Sequence, residues 1–263
     1  MDKRYTVRIK QIIDECDNVK SFIFDLSLKA KPGQFVMLTN YGVGEKPFSI
    51  ASNFNNQLMI TIKKFGNFTE ELFKLNVGDI LSIRGAYGTA FSLKGNNVLL
   101  IGGGVGVPPL FFLAQSLKGK SNITFINAAK NKNELVLDRV IKDYVDKYII
   151  ATDDGSAGIK GNAIEVAENL IKQNNFDMIY AAGPEIMLVK GVEMCEKYNL
   201  NYEFSFERYM KCGVGLCGQC VCEPSGLVLC VEGPVLKPEQ IKEIKEFGKF
   251  KRIATGNRKY FGS

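Results

Sequence analysis

The sequence predicts a β plus α/β protein: a β-rich N-terminal part, then a doubly wound parallel sheet, then a small cysteine-rich module. Three observations predict it. Residues 1–95 carry short runs of β-branched and aromatic residues separated by turn signals, the habit of a barrel or sandwich. From Val98 onward, short apolar runs alternate with helix-like segments, as in a parallel sheet covered on both faces. Five of the seven cysteines fall within the 19 residues from Cys212 to Cys230, in a segment too short to build its own core. At 263 residues the chain accommodates two domains and such a module. Its 46% hydrophobic content supplies enough apolar mass to exclude disorder.

In the first region, 1–95, strands are expected at Val19-Lys20-Ser21-Phe22-Ile23-Phe24-Asp25-Leu26, Leu58-Met59-Ile60-Thr61-Ile62-Lys63 and Asp79-Ile80-Leu81-Ser82-Ile83-Arg84. Turns separate them at Lys31-Pro32-Gly33, at residues 53–56, at Gly66-Asn67 and at Val77-Gly78-Asp79. The boundary falls near Lys94-Gly95-Asn96-Asn97. In the second region, 96–206, Val98-Leu99-Leu100-Ile101 reads as a strand buried on both faces. A helix over 108–117 follows, then a strand over 123–128, a helix over about 134–144 and a strand over 148–151. A helix over about 162–173, a strand over 178–182, a helix over 185–198 and a strand over 202–206 complete the alternation. The third region, 207–263, holds the cysteine cluster.

Several function classes are excluded by what the chain lacks or spreads out. It has no histidine, so Ser-His-Asp catalysis, a histidine general base and histidine-ligated metals are ruled out. The net charge of +6 is dispersed among acidic residues with no basic block interleaved with aromatics, which argues against nucleic acid. Residues 95–117 carry no charge, but Gly102, Gly103, Gly104, Gly106, Pro108 and Pro109 would break a spanning helix, so strand, loop and helix are expected there and no membrane. The start Met1-Asp2-Lys3-Arg4-Tyr5 runs into a charged strand-like segment rather than a signal peptide, and the expected location is cytoplasmic. Clustered cysteines in such a setting point to metal rather than to a disulfide framework.

The strongest motif is Cys212-x4-Cys217-x2-Cys220-x9-Cys230. Its first three cysteines carry the plant-type [2Fe-2S] spacing, and Gly213, Gly215 and Gly218 let backbone amides approach the sulfur atoms. Four thiolates also suit zinc, although structural zinc sites usually pair two close cysteines with two more. Alternation along an extended segment places Cys222 on the same side as Cys220, so it competes with Cys230 for the fourth position. Cys230 supplies the distant ligand that the spacing needs. A second motif, residues 102–109, is a glycine turn between strand and helix, where Gly103, Gly104, Gly106 and Pro108 would admit a pyrophosphate. Thr152-Asp153-Asp154-Gly155-Ser156 and Ala181-Ala182-Gly183-Pro184 also lie between strand and helix. Three glycine-bearing loops on one sheet edge make a nucleotide crevice. Lys46-Pro47-Phe48-Ser49 places a cation, a rigid turn, an aromatic and a hydroxyl together, enough to hold a phosphate and a ring.

Together these motifs resemble the ferredoxin–NADP reductase superfamily, and most closely the electron-transfer subunit family of the NAD-linked, two-subunit dihydroorotate dehydrogenases. The resemblance covers nearly the whole chain and implies a six-stranded antiparallel flavin barrel, a nicotinamide domain and a [2Fe-2S] module in that order. Lys46-Pro47-Phe48-Ser49 is similar to the family's R-P-x-S flavin motif, with Lys in place of Arg and hence without the bidentate fork. Thr61-Ile62-Lys63 and Phe68-Thr69 align with its next flavin contacts, the second departing from the usual Gly-Thr. Thr152 to Ser156 with Lys160-Gly161 is close to T-D-D-G-S-x-G-x-K-G, and Glu207-Arg208-Tyr209-Met210-Lys211-Cys212-Gly213 to E-R-x-M-x-C-G. The resemblance implies FAD, a [2Fe-2S] cluster and NAD as cofactors, with no catalytic side chain, because a flavin converts hydride pairs to single electrons. It implies an FMN-containing dihydroorotate dehydrogenase catalytic subunit as partner in a heterotetramer, working in pyrimidine biosynthesis. Subunits of ferredoxin–NADP transhydrogenases, sulfide dehydrogenases and hydrogenases are the nearest alternative, and a zinc-stabilised nucleotide-binding module is the alternative of another class. Lys130 and Lys132, after the second nucleotide-domain strand, read as surface lysines in preference to a 2′-phosphate site.

Overall fold

The computed structural model describes residues 3–261, so positions 1–2 and 262–263 of the expected first and last regions lie outside the described residues. Six strands close a barrel: β1 (Arg4–Cys16), β2 (Val19–Phe24), β3 (Phe35–Asn40), β4 (Gly44–Phe54), β5 (Gln57–Lys63) and, after the helix α1 (Asn67–Phe73), β6 (Ile80–Tyr87). The order around the barrel is β1-β2-β5-β4-β3-β6, and every pairing is antiparallel. Period-2 alternation sends Val36 and Leu38 of β3 into the barrel interior with Phe22, Ile50, Leu58 and Ile60. The intervening Phe35 and Met37 face outward into a second core. Each such fully buried side chain contributes about 1.5–3 kcal/mol. Helix α1 lies where the sequence predicts strand and turn only. Its buried Phe68, Thr69 and Leu72 share one face, and seven residues are too few for that period to stand out.

The second sheet is formed by β7 (Asn97–Gly103), β8 (Asn122–Ala129), β9 (Lys147–Thr152), β10 (Ile159–Lys160), β11 (Met178–Ala182) and β12 (Tyr202–Ser205), parallel throughout. Helices α2 (Val107–Leu117), α4 (Ala163–Ile171) and α5 (Glu185–Lys197) cover it. Val98 and Leu100 face the core with α2, while Leu99 and Ile101 face the core with α4 and α5, so one apolar run serves both faces. The helix expected over about 134–144 is corrected: only α3 (Asp138–Ile141) is α-helical, between 3-10 turns at Lys132–Glu134 and Lys142–Tyr144. Buried Asn127 binds the Val136 carbonyl at 2.9 Å and the Tyr148 hydroxyl, which donates to Asp138 at 2.7 Å. Leu137 there has φ +57°, and this tertiary polar network overrides the helical pattern.

The cysteine segment adds α6 (Leu229–Glu232), β13 (Val235–Leu236), α7 (Pro238–Lys242) and a hairpin of β14 (Phe250–Arg252) and β15 (Arg258–Tyr260). Strand β13 pairs antiparallel with β12, which extends the parallel sheet to seven strands. Cys220, Cys222, Leu227, Leu229 and Cys230 share one core with Leu99, Ile101, Phe204 and the outward Phe35 and Met37 of the barrel. No helix among the described residues is long and apolar enough to cross a membrane.

Candidate functional site

Lys46, Pro47, Phe48 and Ser49 lie on β4 opposite Leu38, Met37, Val36 and Phe35. All four are half-buried. Phe48 stacks on Phe68 of α1 with ring centroids 6.2 Å apart, so the structure joins two aromatics that the sequence holds 20 positions apart. Thr69 fixes the turn before α1: its Oγ1 accepts from the Phe65 N–H (2.6 Å) and donates to the Gly66 carbonyl (2.9 Å). Thr61 is buried on the outer face of the barrel against Ser21 at 2.8 Å, whereas the Ile62 side chain alternates into the barrel interior. Lys63 is exposed and lines a cleft of about 450 Å³ with Asp17, Asn18, Lys130, Asn131 and Asn133. That cleft joins the barrel to the loop after β8, a neighbourhood that distant sequence positions do not reveal.

The glycine loops converge on the carboxyl edge of the sheet. Gly103 ends β7, and Gly104–Gly106 forms a 3-10 turn that leads into α2, with Pro108 in its first turn. A Cβ on Gly106 would lie 2.1 Å from the Ala182 carbonyl oxygen and 2.4 Å from the Gly183 nitrogen, so glycine is required for the two loops to touch. Gly103 likewise faces Pro184 and Met187. Two strands away, Asp153 and Asp154 donate backbone N–H bonds to the Ala129 and Lys130 carbonyls, both 3.2 Å. The Ser156 side chain and backbone hold the Asp154 carboxyl below the usual carboxylate range. Gly155 turns the chain with φ +79°, and Ser156 Oγ accepts from the Lys132 N–H (2.8 Å), tying the two loops together.

The cysteines separate into distinct settings. Burial pushes the Cys212 thiol up, but the N–H groups of Val214, Cys217 and Leu216 outweigh it and bring the group down to about 6. The Cys217 thiol also hydrogen-bonds Cys212, while Cys220 hydrogen-bonds Cys230. Cys230 Sγ accepts from the Gly215 N–H at 3.2 Å, and Cys220 Sγ from the Cys230 N–H at 3.4 Å. No three Cys, Asp or Glu among the described residues converge closely enough to hold a single ion; these four thiols form two pairs, 212 with 217 and 220 with 230. Cys222 stands apart. It is fully buried, desolvation raises its thiol to about 12, and the groups acting on it include Arg208, Glu246 and Glu185. Arg208 itself is clamped by Glu246 at 2.8 Å and Glu185 at 2.7 Å.

Three residues absent from the sequence-predicted site bind the barrel to this loop. Lys46 Nζ donates to the Tyr209 hydroxyl at 2.5 Å and sits 4.5 Å from the centroid of that ring. Arg84 of β6 donates from Nη2 to the Cys212 carbonyl at 2.6 Å and makes a two-bond fork with Glu45 at 2.9 and 2.6 Å. Burial raises the Glu45 carboxyl, but hydrogen bonds from Arg84 and Thr39 and the charges of Arg84 and Arg4 outweigh it, so the group stays ionised. Only the E-R-x-M-x-C-G resemblance brought Tyr209 into view, and no spacing signal marks Arg84 or Glu45.

A closed antiparallel barrel, a parallel nucleotide-type sheet and a cysteine-rich module define an oxidoreductase of the ferredoxin-reductase type with an added iron–sulfur domain. The oxidoreductase FAD-binding domain family matches residues 6–91, and the iron-sulfur cluster binding domain of dihydroorotate dehydrogenase B matches residues 207–242. The probable dihydroorotate dehydrogenase B (NAD(+)) electron transfer subunit of Methanocaldococcus jannaschii is 43% identical over 99% of this chain and 100% of its own length. The corresponding Pyrococcus furiosus protein is 45% identical over 96% of this chain and 98% of its own. The chain belongs to this family of electron transfer subunits. Among solved structures, the NADH-dependent reduced ferredoxin-NADP oxidoreductase superposes with a TM-score of 0.80 at 28% identity, covering 92% of this chain and 93% of that one. The ferredoxin reductase of carbazole 1,9a-dioxygenase superposes with a TM-score of 0.65 at 19% identity, over 77% and 69%, and shares the fold.

Proposed function

We propose that this chain is the electron-transfer subunit of a dihydroorotate dehydrogenase, passing electrons between a catalytic FMN subunit and NAD. The observation that carries the reading is the convergence of the flavin-motif strand and the cluster loop: Lys46 meets Tyr209, and Arg84 meets the backbone of Cys212. One-electron transfer needs its two centres held close together, and these contacts hold their binding elements. When bound, FAD supplies the exchange between the hydride pair of a nicotinamide and the single electrons of an iron–sulfur cluster.

The chain's own residues bind and orient. Lys46 offers its ammonium to the FAD pyrophosphate, Phe48 and Phe68 give an apolar platform, and Ser49, Thr69 and the backbone of Thr61, Ile62 and Lys63 complete the barrel side. Gly103, Gly104, Gly106 and Pro108 hold bare backbone at the nicotinamide crevice, bordered by Asp153, Asp154, Gly155, Gly183 and Pro184. Cys212, Cys217, Cys220 and Cys230 are the residues that would hold the cluster, which when bound would supply a one-electron acceptor. The Cys212-x4-Cys217-x2-Cys220 spacing suits a two-iron cluster better than a single zinc ion, and the backbone N–H groups around Cys212 are placed to stabilise a thiolate. Leu216 is 85% exposed and Val231 51%. A Cβ on Gly215 would lie 2.9 Å from Val231, which makes Val231 a neighbour of the cluster loop. With half-buried Val214 they offer an apolar face to the catalytic subunit in a heterotetramer.

The likeness to the ferredoxin-NADP oxidoreductase supports a second reading, in which the same relay serves a different partner. Native purification of the complex with cofactor analysis decides between them. One FAD and one [2Fe-2S] per chain, with an FMN subunit that oxidises dihydroorotate, is the expected result. A partner without FMN overturns the dihydroorotate assignment and leaves the relay standing.

A further inference from the structure

We infer that Arg84 is a positioning residue for electron transfer: its guanidinium, anchored by Glu45, fixes the Cys212 backbone against the flavin barrel and raises the reduction potential of the cluster. The inference rests on the reading of Cys212, Cys217, Cys220 and Cys230 as cluster ligands. It concerns two side chains, Arg84 and Glu45, that the ligand set does not include.

The geometry orders the charges. Arg84 extends from β6 with its side chain 12% exposed, and its Nη2 lies 2.6 Å from the Cys212 carbonyl. Glu45, on β4, receives Nε and Nη2 of the same guanidinium at 2.9 and 2.6 Å. The positive group therefore touches the ligand-bearing residue, and the negative group is bonded to that same guanidinium. Glu45 is further neutralised by Arg4 at 3.2 Å. A cluster that accepts one electron gains one negative charge, which a nearby guanidinium stabilises and a more distant carboxylate opposes. Partial burial keeps water from screening either effect fully. The fork to Glu45 also holds the guanidinium plane, which a point-charge ammonium cannot reproduce. Glu45 immediately precedes Lys46, whose ammonium contacts Tyr209 three residues before Cys212. Two consecutive residues of the flavin-motif strand thus fix both ends of the lead-in to the cluster, one directly and one through Arg84.

The two charges give the inference a sign test that loss of structure does not mimic. The full chain is loaded with FAD and cluster, its iron and sulfide are measured, and the cluster is titrated anaerobically with a mediated chemical reductant while its electron paramagnetic resonance signal is followed. Each reduced cluster takes one electron from the titrant. Arg84→Gln is expected to lower the potential, Glu45→Gln to raise it by a smaller amount, and the double variant to fall between the two. Arg84→Lys keeps the charge and restores most of the potential while altering the signal shape. Equal iron content with unmoved potentials, or shifts of the same sign in both single variants, overturns the inference. If Arg84→Gln does not retain its cluster, Arg84→Lys and Glu45→Gln decide: Glu45→Gln must still raise the potential. A wild-type chain that takes up no iron and sulfide fails the ligand assignment itself, an outcome separate from the sign test.

Discussion

Five thiols within 19 positions have different chemistry because their backbone surroundings differ. Cys212 is surrounded by amide donors, Cys230 accepts one from Gly215, and Cys222 is buried beside the Arg208, Glu185 and Glu246 cluster. Spacing alone left Cys222 competing with Cys230, because both lie within reach of Cys220 along the chain. The structure adds a direct link from Cys220 to Cys230, which only the turn through α6 creates. Cys212→Ser, Cys217→Ser, Cys220→Ser and Cys230→Ser are each expected to abolish the cluster, whereas Cys222→Ser, Cys16→Ser and Cys195→Ser retain it, by iron and sulfide analysis. Loss with Cys222→Ser and retention with Cys230→Ser reverses the ligand choice. The flavin motif yields a second prediction at this scale. The Lys46–Tyr209 contact joins residues 163 positions apart, so no local pattern encodes it. A hydrogen bond to a charged group is worth about 1.5–3 kcal/mol. Lys46→Ala is expected to weaken FAD binding by roughly tenfold or more by that measure, and Tyr209→Phe, which keeps the ring under the ammonium, by less. Flavin fluorescence on release measures both, and wild-type affinity in Lys46→Ala removes this residue from the FAD site.

At the scale of elements, legibility followed length and period. Strands β7, β8, β9, β11 and β12 and helices α2, α4 and α5 lie where the apolar runs and their flanking loops place them. The failures have physical causes. The segment between β8 and β9 is held by Asn127, Tyr148 and Asp138 across the fold, and its Leu137 takes a left-handed conformation no helix accepts. Strand β13 is two residues long and acquires its identity from β12, not from its own sequence. The glycine loops were legible as loops, but their mutual contact was not. Gly106→Ala forces a methyl group to within 2.1 Å of the Ala182 carbonyl oxygen, so the loops at 103–106 and 183–184 must part. The expected result is a rise of roughly tenfold or more in the KM for NADH, equivalent to about 1.4 kcal/mol, with flavin and iron content unchanged. Steady-state dye reduction checks it, and an unchanged KM excludes this crevice as the nicotinamide site.

The whole molecule is organised so that each binding element leans on the next. Alternate residues of β3 face the barrel core and the core shared with the cysteine module, and β13 carries that module onto the edge of the nucleotide sheet. The cluster loop is thereby fixed against the flavin barrel on one side and left with Leu216 and Val231 facing solvent on the other. A relay needs such a division, because one centre must stay close to its internal partner while the same cluster remains approachable from outside. On the proposed reading the nucleotide crevice and the flavin motif both lie within this chain, so hydride exchange with a nicotinamide would require no second subunit. The isolated chain, loaded with its cofactors, is therefore expected to oxidise NADH with an artificial dye and to show no dihydroorotate oxidation until a catalytic FMN subunit is added. Val214→Glu and Leu216→Glu are expected to spare dye reduction and to weaken assembly, read by co-purification and by dihydroorotate-dependent NAD reduction. Unaffected assembly moves the docking surface elsewhere. Dihydroorotate turnover by this chain alone contradicts the division itself, because the pyrimidine would then need a site within these three cores.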